Sequence, residues 1–167
     1  MPAATVEPGD YVVVRTRSMF GYLIRLFTRC PYDHAVLVTG PGEITEAKPS
    51  GVRTGSLTEY AGCRAAANTG DTLTHAQRAV IVAKARTFTG DEYGFADIAV
   101  IGLRLLGFRW GWLRRVAADR DALICSELVC EAGLAAGLVS WQCGESAPAF
   151  VTPADLAARP AVHPVRI

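Results

Sequence analysis

The sequence predicts an α+β domain in which an antiparallel sheet packs against helices. Short apolar and β-branched segments come first along the chain, and segments with helical spacing of apolar residues follow them. Turn residues separate the early segments, so neighbouring strands can pair as hairpins. Strands followed by helices are typical of an α+β fold. The length of 167 residues predicts a single domain over 1–167.

Five short segments in the first half of the chain combine apolar or β-branched residues with flanking turn residues, which predicts strands. They are Tyr11–Thr16, His34–Thr39, Glu43–Ala47, Gly51–Leu57 and Cys63–Asn68. The second and third flank a turn at 40–42, so we expect them to form a hairpin. Counting inward from that turn pairs residue 39 with residue 43 and residue 36 with residue 46, subject to a bulge.

Helices are predicted where apolar residues recur at helical spacing behind a capping residue. The predicted helices are Met19–Thr28, Thr74–Gly90, Phe95–Leu106 and Ala122–Gly137, with short helical turns at 57–60 and 152–157. Ser18 can cap the first helix. Thr74 and Gln77 have the spacing of a capping box at the start of the second.

Composition and charge argue against several classes of protein. Half of the residues are hydrophobic and the formal net charge is +1, so we expect a globular domain that does not bind nucleic acid. The N-terminus has no basic flank with an apolar run behind it, so we expect no signal peptide and a cytoplasmic location. The apolar segment 95–113 contains Asp97, Arg104 and Arg109, so no transmembrane segment is predicted. Peripheral contact of this segment with a membrane stays open.

The five cysteines show neither the paired spacing of a structural zinc site nor a context that favours disulfides, so we predict no metal and no cofactor. Cys125 differs from the others because it falls in the first turn of a predicted helix. Free N–H groups and the helix dipole favour a thiolate there. A packed core cysteine is the alternative. Packing is the favoured interpretation of the other four, which are Cys30, Cys63, Cys130 and Cys143.

A cysteine nucleophile needs a base within hydrogen-bond reach. Of the three histidines, His34 begins a predicted strand beside a loop, whereas His75 and His163 fall in a helix cap and in the proline-rich tail. The predicted hairpin brings Glu46 close to His34, where a carboxylate could orient the imidazole. Asp33 is the alternative orienting residue, although neighbouring strand residues face opposite sides of a sheet. A histidine at a sheet rim and an exposed glutamate are the structural alternatives.

Several short motifs follow one another in a particular order over most of the chain. They are Gly9-Asp10, Tyr32-Asp33-His34-Ala35-Val36, Glu46-Ala47, Gly90-Asp91-Glu92-Tyr93-Gly94, Cys125-Ser126-Glu127-Leu128-Val129 and Thr152-Pro153-Ala154-Asp155-Leu156. Together they resemble the permuted branch of the NlpC-type papain-like superfamily, and more narrowly its YiiX-like group, which is related to the lecithin–retinol acyltransferase-like enzymes. The resemblance implies a circularly permuted papain-like (NlpC-type) fold. The sequence departs from many relatives at Ile124, where they have tyrosine.

The resemblance also implies an activity and the residues that perform it. It implies Cys125 as the nucleophile, His34 as the base and Glu46 as the orienting residue of a cysteine peptidase- or amidase-like hydrolase. Such an enzyme cleaves an amide or ester bond through an acyl-thioester intermediate. The implied partners are a peptide, a peptidoglycan fragment or an acyl-lipid substrate. A lipid-directed thioesterase or acyltransferase, and a non-catalytic binding module of the same fold, stay open as alternatives.

Overall fold

The computed structural model describes residues 5–48, 50–91, 125–141 and 151–167. The strands in these ranges are β1 (Tyr11–Val14), β2 (His34–Gly40), β3 (Glu43–Lys48), β4 (Gly51–Ser56), β5 (Ala65–Ala67) and β6 (His163–Val165). The α-helices are α1 (Met19–Thr28), α2 (His75–Thr87), α3 (Cys125–Ala135) and α4 (Pro153–Ala157), and short 3-10 turns lie at Leu57–Tyr60 and Val139–Trp141. The α+β class predicted from the sequence is therefore confirmed.

The described strands form one antiparallel sheet in the order β4-β3-β2-β1-β5-β6. The predicted hairpin is present as β2 and β3, with Leu37 opposite Thr45 and Val38 opposite Ile44. An irregularity between Val38 and Gly40 then places Gly40, rather than residue 39, opposite Glu43. Such a bulge adds one residue on one strand, so the pairing predicted next to the turn is one residue out.

Two apolar layers lie on the two faces of the sheet. Alternation along β1 puts Tyr11 and Val13 into a core with α2 and α3, where they share a cluster with Ile81 and Leu128. Val12 lies in a second cluster, which also contains Val36, Ile44 and Tyr60. The helices α2 and α3 pack on one another and on β2, so the first layer is the helical one.

The helix starts follow the capping residues predicted from the sequence. The Ser18 side chain accepts a hydrogen bond from the Gly21 N–H, and Thr74 and Gln77 form a complete capping box. A further capping box joins Thr152 and Asp155 at the start of α4. Local sequence therefore determines these boundaries, because a capping side chain satisfies backbone N–H groups that the helix leaves unpaired.

Strands β1 and β5 are shorter than predicted. At one end of each, a side chain replaces the neighbouring strand as a hydrogen-bond partner. β1 ends at Val14, and the Thr16 N–H donates to the carboxylate of Asp33 at 3.0 Å. β5 spans only Ala65–Ala67, and the side-chain oxygen of Asn68 accepts the Tyr11 N–H at 2.7 Å. Asp and Asn side chains compete in this way with backbone pairing.

Strand β6 was not predicted, because the proline-rich tail was expected to hold only a helical turn. It pairs with β5 and carries Pro164 in a three-residue strand at the edge of the sheet. Proline is tolerated there because an edge strand has one side without a partner. The predicted helix 95–106 and residues 122–124 of the last long helix lie outside the described residues. None of the helices within the described ranges combines the length and apolar character needed to cross a bilayer.

Candidate active site

His34 and Glu46 meet across the β2–β3 hairpin. Leu37 pairs with Thr45, and the same register carried one step further puts residue 36 opposite residue 46. Glu46 therefore lies within two residues of His34 along the strand direction and on the same face. The Nε2–H of His34 donates to Glu46 Oε2 at 2.9 Å, and both residues are buried. The proximity predicted from the hairpin is present in the structure.

Cys125 approaches the same histidine from the helical layer. It is the first residue of α3 in the described part of the chain, it is buried, and it belongs to the core cluster on the helical face. The His34 ring hydrogen-bonds with the Cys125 side chain. Since Nε2 is engaged by Glu46, Nδ1 is the ring nitrogen left for the sulfur. His34 is the first residue of β2 and lies at the end of the sheet.

The surroundings of His34 favour its protonated form. Burial by itself lowers the pKa of the imidazole, since it removes the charged ring from water. The negative charge and hydrogen bond of Cys125, and then the hydrogen bond and charge of Glu46, outweigh burial and raise the pKa from 6.5 to about 9. A buried imidazolium is therefore favoured between the Cys125 sulfur and the Glu46 carboxylate.

The Glu46 carboxylate is fully buried, and four side chains compensate for the loss of water. Oε2 accepts from His34 and from the hydroxyl of Tyr60. Oε1 contacts Lys48 Nζ at 2.9 Å and Arg53 Nη2 at 2.6 Å. Burial alone would raise the pKa of Glu46, but the hydrogen bonds from His34 and Tyr60, the His34 charge and the Lys48 hydrogen bond lower it to about 2. Glu46 is therefore an anion over the ordinary pH range.

Three residues that sequence reasoning missed complete this carboxylate site. Arg53 lies directly opposite Glu46 on β4, and Lys48 is two residues further along β3 on the same face. Opposite charges across paired strands are a recognisable pattern, so the hairpin register could have indicated Arg53. Tyr60 comes from the 3-10 turn after β4, and no local pattern marks it. Burial and the hydrogen bond to Glu46 raise the pKa of Tyr60, which keeps it a neutral donor.

Asp33 does not contact His34 through any described hydrogen bond and instead holds α1 in place. Its buried carboxylate accepts from the Thr16 N–H at 3.0 Å and from the Thr16 hydroxyl, and it forms an ion pair with Arg25. Neighbouring strand residues point to opposite faces, which explains why Asp33 and His34 have separate partners. Glu46, and not Asp33, is therefore the carboxylate that is hydrogen-bonded to His34.

The remaining cysteines and histidines of the described ranges lie apart from this pair. Cys130 is buried on α3 and its sulfur donates to the Trp141 carbonyl, while Cys30 and Cys63 are partly buried thiols. His75 and His163 are exposed. Cys143 falls outside the described residues. Over the ranges that the structure describes, no three His, Cys, Asp or Glu side chains come together in a way that could hold a metal ion.

The comparisons with known proteins identify a likeness of fold alone. No protein-family model and no curated protein matches the sequence. Among solved structures, the chain is similar to the metalloprotein yiiX from Escherichia coli O157:H7, a DUF1105 protein. The two share 18% sequence identity with a TM-score of 0.62, over 95% of this chain and 96% of yiiX. The α+β domain with its six-stranded antiparallel sheet is therefore a fold that yiiX also has.

Proposed function

We propose that this protein is a cysteine-dependent hydrolase that cleaves an amide or ester bond through an acyl-thioester intermediate. The observation that supports it is a continuous chain of contacts from Cys125 through His34 to the buried Glu46. Nucleophilic cysteine catalysis requires a thiol, a base within hydrogen-bond reach and a group that orients the base. The three side chains offer these roles in that order.

The proposed reaction begins with the Cys125 thiolate and the His34 imidazolium. The sulfur attacks the carbonyl carbon of the substrate, and the carbonyl oxygen becomes an oxyanion that the backbone N–H of Cys125 would help to stabilise. The oxyanion collapses, the bond to the leaving amine or alcohol breaks, and His34 gives that leaving group its proton. The neutral His34 then takes a proton from water, which attacks the thioester and releases the carboxylic acid. Glu46 keeps Nε2 protonated, so that Nδ1 exchanges the proton.

The order of the residues supports a more specific assignment of the fold. Histidine comes first, the acidic residue second and cysteine last, which is the order implied by the resemblance to the permuted papain-like (NlpC-type) proteins. The structural likeness to yiiX fits a member of the YiiX-like group. We therefore propose that the chain is a permuted papain-like domain. Location in the cytoplasm stays a prediction.

The description of yiiX as a metalloprotein raises the question of a metal in this chain. The described residues do not fit one, since they contain no group of three or more potential ligands. In addition, Nε2 of His34 is engaged by Glu46, and both oxygens of Glu46 already accept hydrogen bonds or ion pairs. The proposed mechanism therefore has no step through a metal.

The proposal is tested by locating the reactive thiol and by trapping the acyl enzyme. Limiting iodoacetamide, followed by peptide mass spectrometry, should label Cys125 ahead of the other four cysteines. A panel of short peptide amides, p-nitrophenyl esters and lysolipid esters should then give an acyl adduct on Cys125. The panel also separates a peptidase from a lipid-directed thioesterase or acyltransferase.

Cys130→Ala is the matched control, because Cys130 lies on the same helix and its sulfur donates to the Trp141 carbonyl. Cys125→Ala should lose both labelling and turnover, whereas Cys130→Ala should keep both. Preferential labelling of another cysteine, or turnover that survives in Cys125→Ala, would remove Cys125 from the mechanism. A Cys125 that reacts with no reagent would favour the non-catalytic binding module.

A further inference from the structure

Helix α1 exposes an apolar stripe to solvent. Met19, Tyr22, Leu23 and Leu26 recur at helical spacing and are 83%, 58%, 44% and 58% exposed. Four large apolar residues on one face of a ten-residue helix form a contiguous patch, and such patches mark surfaces that contact something else.

The opposite side of α1 is held to the domain by polar contacts. Gly21 is buried, and a Cβ atom added there would lie 2.1 Å from an Asp33 carboxylate oxygen, so the helix approaches the strand closely. Arg25 forms an ion pair with Asp33 and donates to the Thr16 carbonyl at 3.0 Å. A surface helix ordinarily turns its apolar face inward and its charged face outward. In α1 the four apolar residues of the stripe are exposed, whereas Arg25 is held against the domain by its ion pair with Asp33.

Arginines without a salt bridge to any described residue flank α1 along the chain. Arg15 and Arg17 precede α1, Arg29 ends it, and Arg64 lies beside Arg15, whose N–H donates to the Arg64 carbonyl at 2.9 Å. All four are exposed, and none of them forms a salt bridge within the described residues. The sequence from residue 15 to residue 32 contains no acidic residue. We call these four residues the arginine collar.

We propose that α1 and the arginine collar form a docking surface for a bilayer that contains anionic lipids. A helix with a large apolar face and cationic neighbours is the usual form of an interfacial membrane helix, with the apolar residues at the acyl-chain boundary and the arginines at the headgroups. Charge complementarity favours an anionic lipid surface, because residues 15–32 contain four arginines and no acidic residue. Tyr22 is also suited to an interface, since its ring is apolar and its hydroxyl is polar.

The docking surface lies at the same end of the sheet as the candidate active site. Val14, the last residue of β1, pairs with His34, so the chain enters α1 and returns from it beside this histidine. Docking through α1 would therefore hold the active-site end of the domain against the bilayer. This surface is independent of the proposed hydrolase chemistry, and Cys125→Ala should bind vesicles as the wild type does.

The experiment is co-sedimentation of the full chain with vesicles of phosphatidylcholine mixed with phosphatidylglycerol. We expect binding to these vesicles that weakens with salt, and much weaker binding to phosphatidylcholine alone. Leu23→Gln should reduce the partition constant about tenfold. Arg17→Gln should reduce it about fivefold.

Two controls match these changes at the far end of the molecule. Val139→Gln removes an apolar side chain that is 68% exposed, in the 3-10 turn whose Trp141 packs against Tyr11 at the opposite end of β1. Arg86→Gln removes an arginine that is 56% exposed and contacts Thr39 near the opposite end of β2. Neither should change the partition constant.

Three results would overturn the proposal. The first is failure of the wild-type chain to bind the mixed vesicles, and the second is that the α1 variants bind as well as their controls. The third is sedimentation equilibrium showing that the stripe joins two copies of the chain instead. Circular dichroism of each variant shows whether it is folded, so that weaker vesicle binding is not caused by unfolding.

Discussion

Replacing Glu46 with glutamine removes the negative charge beside His34 while keeping the size of the side chain. The glutamine amide oxygen can still accept a hydrogen bond from Tyr60. That hydrogen bond is therefore kept, but its acceptor is now neutral. What disappears is the carboxylate that stabilises the imidazolium through Nε2. We therefore expect Glu46→Gln to lower the pKa of His34.

The magnitude follows from the forces on His34. Its pKa of about 9, against an ordinary 6.5, corresponds to about 3 kcal/mol in favour of the charged ring. Burial opposes this preference, and the contributions of Cys125 exceed those of Glu46. Losing the smaller contribution should lower the pKa by about one unit, which is about 1.4 kcal/mol. The variant His34 should then titrate near pH ~8.

The same change has a defined effect on stability. Because the folded-state pKa of His34 is raised, its contribution to the free energy of unfolding is fully present below pH 6.5 and is lost as the pH rises through about 9. In Glu46→Gln the loss should still begin near pH 6.5, but it should be complete about one pH unit lower, and its total should be smaller by about 1.4 kcal/mol. Urea unfolding at a series of pH values measures the difference.

The direct assay is an NMR titration of the imidazole nitrogens in protein labelled at histidine. Only three histidines are present, and His34→Asn identifies the resonances of His34. Glu59→Gln is the matched control, because Glu59 shares Arg53 and Lys48 with Glu46 and is partly exposed. It should leave the pKa of His34 nearly unchanged. A wild-type His34 that titrates at or below 6.5, or one that Glu46→Gln does not move, would refute the reasoning.

Two further predictions concern packing around the site and the core. Tyr60→Phe removes a buried donor to the Glu46 carboxylate and should lower the free energy of unfolding by about 2 kcal/mol, measured by urea denaturation. An unchanged transition midpoint would argue against that hydrogen bond. Gly133→Ala places a Cβ 2.4 Å from the buried Trp141 ring, so overpacking should cost about 1–3 kcal/mol and exceed the helix-propensity gain of about 1 kcal/mol. A higher melting temperature would show that Trp141 can move aside.

The elements that sequence reasoning predicted well depend on residues close together in the chain. Ser18 caps α1 from three residues away, and Thr74 and Gln77 do the same for α2. The β2–β3 hairpin depends on one short turn, and its register was enough to bring Glu46 near His34. Local hydrogen bonds and strand alternation determine these features, so they can be inferred from a few consecutive residues.

Other features depend on groups that meet only after the chain has folded. The contact of Cys125 with His34 joins a helix and a strand from opposite ends of the sequence, and the motif resemblance indicated it, whereas local pattern alone left a packed cysteine as an alternative. Tyr60 was not predicted, because the buried Glu46 carboxylate needs a hydrogen-bond donor but does not require a tyrosine. Any donor that the fold brought next to this carboxylate could serve.

The exposure of the apolar stripe on α1 is the feature that depends most clearly on tertiary structure. Helical spacing predicts a helix over 19–28, but only the anchoring of Gly21 and Arg25 to Asp33 leaves the stripe on the outside. The sequence by itself determined the elements, the hairpin and the candidate residues. Tertiary structure decided which charges are buried together and which apolar surface is left outside, because burial is a property of the packed chain and not of any segment.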